Sequence, residues 1–261
     1  MTKPKSILIT GAGSGIGRAT AVLFAHRGWR VGLADIDLPR LAETKTMMPA
    51  GSSEIHRLDV RDRPAWRAAL DTFTQPAGGA LDVLFNNAGI GTGGPLAEAD
   101  FDAIDQLVAV NLMGVLNGAR IGFAYLARAG GCLLNTASAS GIYGTSGLAT
   151  YSATKCAVCG LTEALDGEWA KTGVRARDIV PGFVETPLLC GPAGRRDNKT
   201  IRETVIDSGL EIAPAEAVAV AAWRAVHGKA VHTYVGKTAF QAAFAARFAP
   251  WLLRRRMRKG F

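Results

Sequence analysis

A doubly wound α/β fold, a mainly seven-stranded parallel sheet with helices on both faces, is predicted by three features of the sequence. Short β-branched or aliphatic runs alternate with longer helical stretches, which implies right-handed βαβ units. Several of these runs, notably Ile7-Leu8-Ile9 and Leu81-Asp82-Val83-Leu84-Phe85, are apolar on both sides of the pleat, as a sheet covered on both faces requires. A glycine-rich turn, Thr10-Gly11-Ala12-Gly13-Ser14-Gly15-Ile16-Gly17, stands between the first strand and the first helix. That context makes the sheet a Rossmann-type one.

In chain order, strands are expected at residues 6–10, 30–34, 54–58, 81–86, 131–136, 175–180 and 233–235. Helical periodicity fills 18–27, 63–75, 100–129, 151–172 and 214–227 between them. Residues 191–199, rich in Gly, Pro and charge, read as a mobile loop. No linker divides the chain, so 1–237 is expected as one domain and 238–261 as an amphipathic helix with a basic tail. The composition, 48% hydrophobic, excludes a disordered chain. The net charge of +8 would suit a nucleic-acid binder, but the last acidic residue is Glu216 and nine basic residues follow it. Taking those nine away leaves −1 for residues 1–216, which argues against nucleic acid. Cys132, Cys156, Cys159 and Cys190 are too scattered for a disulfide framework. Cys156 and Cys159 read as buried thiols on one helix face, and no metal site is expected. With no signal-peptide-like start and no uninterrupted apolar run of ~18 residues, a cytoplasmic protein is expected.

The glycine turn offers backbone N–H groups and a helix N-terminus to a pyrophosphate. Asp35, 18 residues past Gly17, ends the second strand where a carboxylate accepts hydrogen bonds from an adenosine ribose and repels a 2′-phosphate. No Arg immediately follows it, so NAD is favoured over NADP. Farther along, Tyr151 and Lys155 stand four residues apart and share a helix face. A neighbouring ammonium, together with the positive nicotinamide of an oxidised cofactor, favours the phenolate and brings the tyrosine into working range for proton transfer. Ser138 follows the apolar strand Leu133-Leu134-Asn135-Thr136, at the strand end where open α/β sheets present ligand-binding groups. Asn86-Asn87-Ala88-Gly89 closes the fourth strand in the same way. Asn111 lies inside a helix, a position that a polar side chain needs a reason to hold.

Together these residues resemble the short-chain dehydrogenase/reductase family, in its compact single-domain branch. The matching pieces are Thr10 to Gly17, Asp59-Val60, Asn86 to Gly89, Asn111, Ser138, Tyr151 with Lys155, and Pro181-Gly182 with Thr186. The resemblance implies an NAD(P)-dependent alcohol dehydrogenase or ketone reductase. Tyr151 would exchange a proton with the substrate oxygen, Lys155 would hold the nicotinamide ribose, and Ser138 would donate to the substrate carbonyl. Asn111 would fix a water of a proton relay. Gly11, Ser14, Gly15, Ile16 and Gly17 would bind the cofactor's phosphates, and Asp59 and Val60 would flank its adenine. Asn87, Ala88 and Gly89 would line its floor, with Pro181, Gly182, Val184 and Thr186 near the carboxamide. Two alternatives stand beside this reading: an NADP-dependent ketone or ketoacyl reductase, and a non-catalytic dinucleotide sensor, which need not keep Asn111, Ser138, Tyr151 and Lys155.

The substrate pocket is expected from Ser140, Ile142, Tyr143, Leu148, Phe183, Leu188 and Leu189, mostly apolar. A hydrophobic secondary alcohol or its ketone is therefore expected. Arg195 and Arg196 read as solvated lid residues or as holders of a carboxylate. The resemblance fades after residues 214–227. The glycine-rich C-terminal turn that supports tetramer packing in many compact members is absent here, so a homo-oligomer is expected as a dimer or a tetramer. Phe240, Phe244, Phe248 and Trp251 recur at helical spacing, and Pro250 should interrupt or end that helix. This stripe either packs on the protein's own core or a partner subunit, or forms an interfacial segment. In the second case Trp251, Leu252 and Leu253 would insert while the basic residues 254–259 meet anionic lipid.

Overall fold

Seven parallel strands stand in the order β3-β2-β1-β4-β5-β6-β9 in the computed structural model, which describes residues 4–191 and 199–258. The strands are β1 (Ser6–Thr10), β2 (Arg30–Asp35), β3 (Ser53–Arg57), β4 (Val83–Asn86), β5 (Cys132–Thr136), β6 (Arg175–Pro181) and β9 (His232–Val235). The chain winds outward from β1 to β3, returns to β4 beside β1, and winds the other way. The crevice beyond the C-terminal ends of β1 and β4 is therefore the topological switch point, where such sheets bind ligands.

The alternation of side chains along β1 feeds two separate cores. Ile7 and Ile9 point toward α1 (Gly15–His26) and α9 (Ala215–His227), with Phe24, Trp29, Val218 and Ala222 around them. Leu8 points the other way, into a core with Trp66, Leu70, Phe73, Leu84, Leu165 and Trp169. That second layer is built by α3 (Arg63–Thr74), α5 (Gly114–Ala127) and α7 (Ala149–Trp169). Apolar residues on both sides of one strand thus report two covered faces, as the sequence predicts.

Asp37 and Asp62 cap α2 (Leu38–Thr46) and α3, accepting from the backbone N–H groups of Arg40 and Ala65 at 3.0 Å each. The long helix expected at 100–129 is α4 (Phe101–Val108) and α5 joined by a π-helical stretch, Ala109–Met113. By length and composition residues 101–127 match a membrane span, but half of the most apolar window is buried, with α5 packed on α3 and β4. It is the core helix of the second layer.

Beyond the predicted elements, α6 (Ala139–Ile142), a parallel ribbon of β7 (Phe183–Val184) with β8 (Ile212–Ala213), and α8 (Ile201–Asp207) build the rim of the crevice. The expected loop at 191–199, with Arg195 and Arg196, lies almost wholly outside the described residues. The C-terminus forms α10 (Lys237–Phe248) and, restarting at Pro250, α11 (Pro250–Arg258). Pro250 interrupts the helix as expected. The phenylalanine stripe does not pack on this chain's core: Ala239 is the buried residue of α10, and Phe240, Phe244 and Phe248 face outward. Periodicity predicts that two faces differ, but here the small alanines make the close approach and the large rings are left outside.

Candidate active site

The glycine turn is as narrow as its sequence suggests. Gly15 has φ +49°, and a Cβ there would come within 2.7 Å of Thr186 Cγ2. At Gly17 a Cβ would press into the Gly11 carbonyl, so this residue sets how closely α1 approaches β1. The turn bends so that the N–H of Gly13 donates to Asp35 Oδ2 at 3.1 Å, while Asp35 Oδ1 accepts from the N–H of Asp37. Asp35 faces the cleft with no cation paired to it in the ion pairs of the described residues. Arg18 is committed to the Gly13 carbonyl, Thr44 and Glu43, and Arg40 to Asp37 at 3.4 Å.

Three strand ends and helix α7 are tied into one floor by a network of side chains. Thr10 Oγ1 accepts from the N–H groups of Asn87 and Ala88, both at 3.0 Å, and locks β1 to the end of β4. Asn87 donates to the Thr10 carbonyl and accepts from Thr136 Oγ1, each at 3.0 Å. Thr136, at the end of β5, in turn offers its carbonyl to Lys155 Nζ at 2.8 Å. Thr10 is marked in the sequence only as the start of the glycine turn, and Thr136 only as the end of an apolar strand. A threonine closing a strand has no sequence signature that separates it from an ordinary β-former.

Ser138 ends its extended stretch and caps α6 by accepting from the N–H of Ser140 at 3.2 Å. A Cβ on Gly141 would lie 2.7 Å from the Lys155 carbonyl, so this glycine lets the short helix lie on α7. That packing brings Ser138 within hydrogen-bonding reach of the Tyr151 hydroxyl. Burial pushes the Tyr151 phenol up from its ordinary value, and the Ser138 hydrogen bond draws it back. The expected depression of the phenol is thus not what the protein alone provides. Burial pulls the Lys155 ammonium down to about 8, and its Nζ lies 5.7 Å from the centre of the Tyr151 ring. Asn111 is fully buried in the π-helical stretch, its amide paired with both the N–H and the carbonyl of Ile90 at 2.9 and 2.8 Å. It lies beside the cleft: a Cβ on Gly89 would come within 3.3 Å of Asn111 Oδ1 and 3.8 Å of Lys155 Nζ.

Ser138, Tyr151, Lys155, the glycine turn and Asp35 share one cavity of about 630 Å³ that runs from Asp35 to Leu189, and Asn111 is not part of its lining. Of the residues expected to bind cofactor, Gly11, Ser14, Gly15, Ile16, Asp35, Asp59, Val60, Asn87, Ala88, Gly89, Pro181, Gly182, Val184 and Thr186 line it. The Asp59 carboxylate is gripped by Arg61 at 2.6 Å, which holds it well below the usual carboxylate range. Gly17 does not line the cavity, since its place is the packing of α1. Ser138, Tyr151 and Lys155 form the cavity's floor, with Ser140, Leu148, Phe183, Leu188 and Leu189 around them. Ile142 and Tyr143 are a correction. Residues 139–142 coil into a helical turn, which carries Ile142 away from the cleft to pack with Val115, Val158 and Val180. Tyr143, just past that turn, is likewise outside the lining. In their place Ile90, Thr92, Gln106 and Val110 complete the wall.

A second correction concerns the thiols. Cys156 is exposed, while Cys159 turns inward toward β6, because a three-residue spacing falls short of a full helical turn. Cys159, Asp178 and His232 bring their polar atoms within 4.8 Å of one another. Both nitrogens of His232 are already engaged, Nδ1 by Asp178 and Nε2 by Glu163 at 2.9 Å each. The hydrogen bond to Asp178 leads in raising His232 to about 9. His232, Asp178 and Glu163 form an ion triad that joins β9, β6 and α7, with the Cys159 thiol beside it.

The fold agrees with what the chain is similar to. The family model for short chain dehydrogenase matches residues 5–191. A cyclohexanol dehydrogenase of Acinetobacter is 36% identical over 71% of this chain and 75% of its own. A 3-oxoacyl-[acyl-carrier-protein] reductase of Thermotoga maritima is 37% identical over 70% of this chain and 76% of its own. Among solved structures, a short chain dehydrogenase/reductase from Burkholderia phymatum in complex with NAD superposes with a TM-score of 0.81. It is 29% identical and covers 97% of this chain and 95% of its own.

Proposed function

The chain belongs to the short chain dehydrogenase family, and from that premise we propose that it interconverts a hydrophobic secondary alcohol and its ketone with NAD. The convergence of Ser138, Tyr151 and Lys155 at one end of a cleft, with the Asp35 carboxylate at the other, carries this reading. The glycine turn, the Gly15–Thr186 approach and Asp35 fit a dinucleotide, with Asp35 toward the adenosine ribose hydroxyls. When bound, the nicotinamide supplies the hydride acceptor for the alcohol, or the donor for the ketone. Tyr151 takes the hydroxyl proton as the alcohol is oxidised and returns it as the ketone is reduced. Ser138 donates to the substrate oxygen, where negative charge develops. Lys155, held by the Thr136 carbonyl, keeps a positive charge beside the phenol and favours its ionised form.

The wall beyond Tyr151 is largely apolar, formed by Ile90, Val110, Leu148, Phe183, Leu188 and Leu189. It suits a ring or a short hydrocarbon better than a charged substrate, in keeping with the cyclohexanol dehydrogenase relative. The test is a panel of alicyclic and aromatic secondary alcohols, with NAD and NADP compared by kcat/KM from absorbance of the reduced cofactor. The expected outcome is turnover with a preference for NAD. A preference for NADP would overturn the cofactor assignment, and turnover confined to ketoacyl thioesters would overturn the substrate class.

A further inference from the structure

The C-terminal helical pair is built with its large apolar side chains on the outside. Helix α10 seats its alanine face on α6 and β9, with Ala239 fully buried. Phe240, Phe244 and Phe248 are left 59%, 65% and 58% exposed, and Trp251 and Leu252 of α11 continue the ridge at 65% and 54%. The rings of Phe244 and Phe248 lie 4.9 Å apart, so the ridge is continuous. Such a patch on a folded surface marks something that covers it.

Its flanks identify the cover. Arg247 stands within the ridge, its guanidinium 5.8 Å from the Phe248 ring, and Arg254, Arg255, Arg256 and Arg258 follow in α11, all exposed. The chain has no Asp or Glu after Glu216, so this segment supplies no counter-charge. A second copy docked face to face would set one arginine cluster against another. A bilayer with anionic headgroups accepts both halves of the pattern, aromatic rings at the acyl boundary and guanidinium groups at the phosphates. We propose that the outer face of α10 and α11 seats the protein on an anionic lipid surface. The proposal stands on this face alone, independent of the reaction assigned to the cleft. Its consequence for that reaction is positional: α10 packs on α6, whose first residue follows Ser138, so docking sets the lipid close to the active cleft.

The test is co-sedimentation of the full-length protein with phosphatidylcholine vesicles, with and without phosphatidylglycerol, at low and high salt. Pelleting is expected with the anionic vesicles, falling as salt rises. R254Q/R255Q/R256Q should weaken partitioning on the order of a hundredfold. F244S/W251S should weaken it by at least about tenfold, with an unchanged far-UV circular dichroism spectrum because both side chains lie outside the core. Of the five tryptophans, Trp29, Trp66 and Trp169 are buried and Trp223 is half-buried among Phe24, Trp29 and His227, so a blue shift and quenching by brominated lipid should be lost with W251F. Equal pelleting with neutral and anionic vesicles, or none at low salt, would overturn the proposal. So would F244S/W251S splitting an oligomer in sedimentation velocity while leaving pelleting intact, which would assign the face to a second copy.

Discussion

Tyr151 is pulled two ways by its surroundings: burial favours the neutral phenol, and the Ser138 hydroxyl stabilises the ionised form. A buried phenol kept neutral is the form that can hand a proton to a ketone. Lys155, brought down to about 8 by burial, still carries its proton at neutral pH, and its Nζ lies 5.7 Å from the centre of the Tyr151 ring. Both directions of proton transfer thus depend on the phenolic oxygen. Tyr151→Phe removes that oxygen and nothing that packs, so kcat is expected to fall by about 10² to 10⁴. The thermal midpoint should stay near wild type. The same kcat in the variant would remove Tyr151 from the mechanism. A collapsed midpoint would make its role structural.

At the scale of elements, the chemistry was legible in the sequence wherever spacing or strand-end position constrained it. Tyr151 and Lys155 share a helix face because they are four residues apart, and Asp35 reaches the cleft because it closes a strand. The seven strands of the main sheet lie within two residues of their expected bounds, since double-sided apolar runs mark strands that two layers bury. Other elements escaped for physical reasons. Helix α2 is short, with only Leu41 and Thr44 buried, so it carries little periodicity. Ile142 is apolar in either setting, and composition alone does not tell a pocket wall from the contact of α6 with α7. The stripe of α10 was legible as a stripe but not in its direction, because alanine approaches a surface more closely than phenylalanine. The glycine turn permits a firmer statement. Gly17→Ala sets a methyl group against the Gly11 carbonyl and Asn87 Nδ2, neither of which can move without disturbing β1 or β4. A loss of about 1–3 kcal/mol is expected, together with a higher KM for the cofactor as α1 lifts from the turn. Urea denaturation and cofactor titration would measure the two effects, and a wild-type midpoint would show the contact to be relieved.

For the whole molecule, the weak flank of the sheet is its last strand, since β9 is four residues long and, among the described residues, pairs only with β6. What fastens it is the triad: the His232 ring bridges the buried Asp178 of β6 and Glu163 of α7. The two carboxylates raise His232 from its ordinary 6.5 to about 9 in the folded protein, with the hydrogen bond to Asp178 leading. The folded state therefore holds this proton more tightly than the unfolded chain. The resulting stabilisation is complete below pH ~6.5 and drains away as pH rises through 9. Burial also raises the Asp178 carboxyl while its hydrogen bond to His232 draws it back, and that carboxyl is present in wild type and variant alike. Burial pushes the Cys159 thiol up to about 12 and raises the Tyr234 phenol, so both stay neutral. Lys155 acts in the opposite sense, because a folded value lowered from 10.5 to about 8 makes stability rise with pH between those values. The clean interval is therefore pH 6.5 to 8, where His232 acts without Lys155. Over that interval the thermal midpoint of the wild type is expected to fall, and that of His232→Gln to fall less, because the glutamine amide carries no titrating proton. Midpoints followed by circular dichroism at closely spaced pH values would decide it. Parallel curves for the two proteins would mean that β9 is held by backbone pairing and packing rather than by the charged triad.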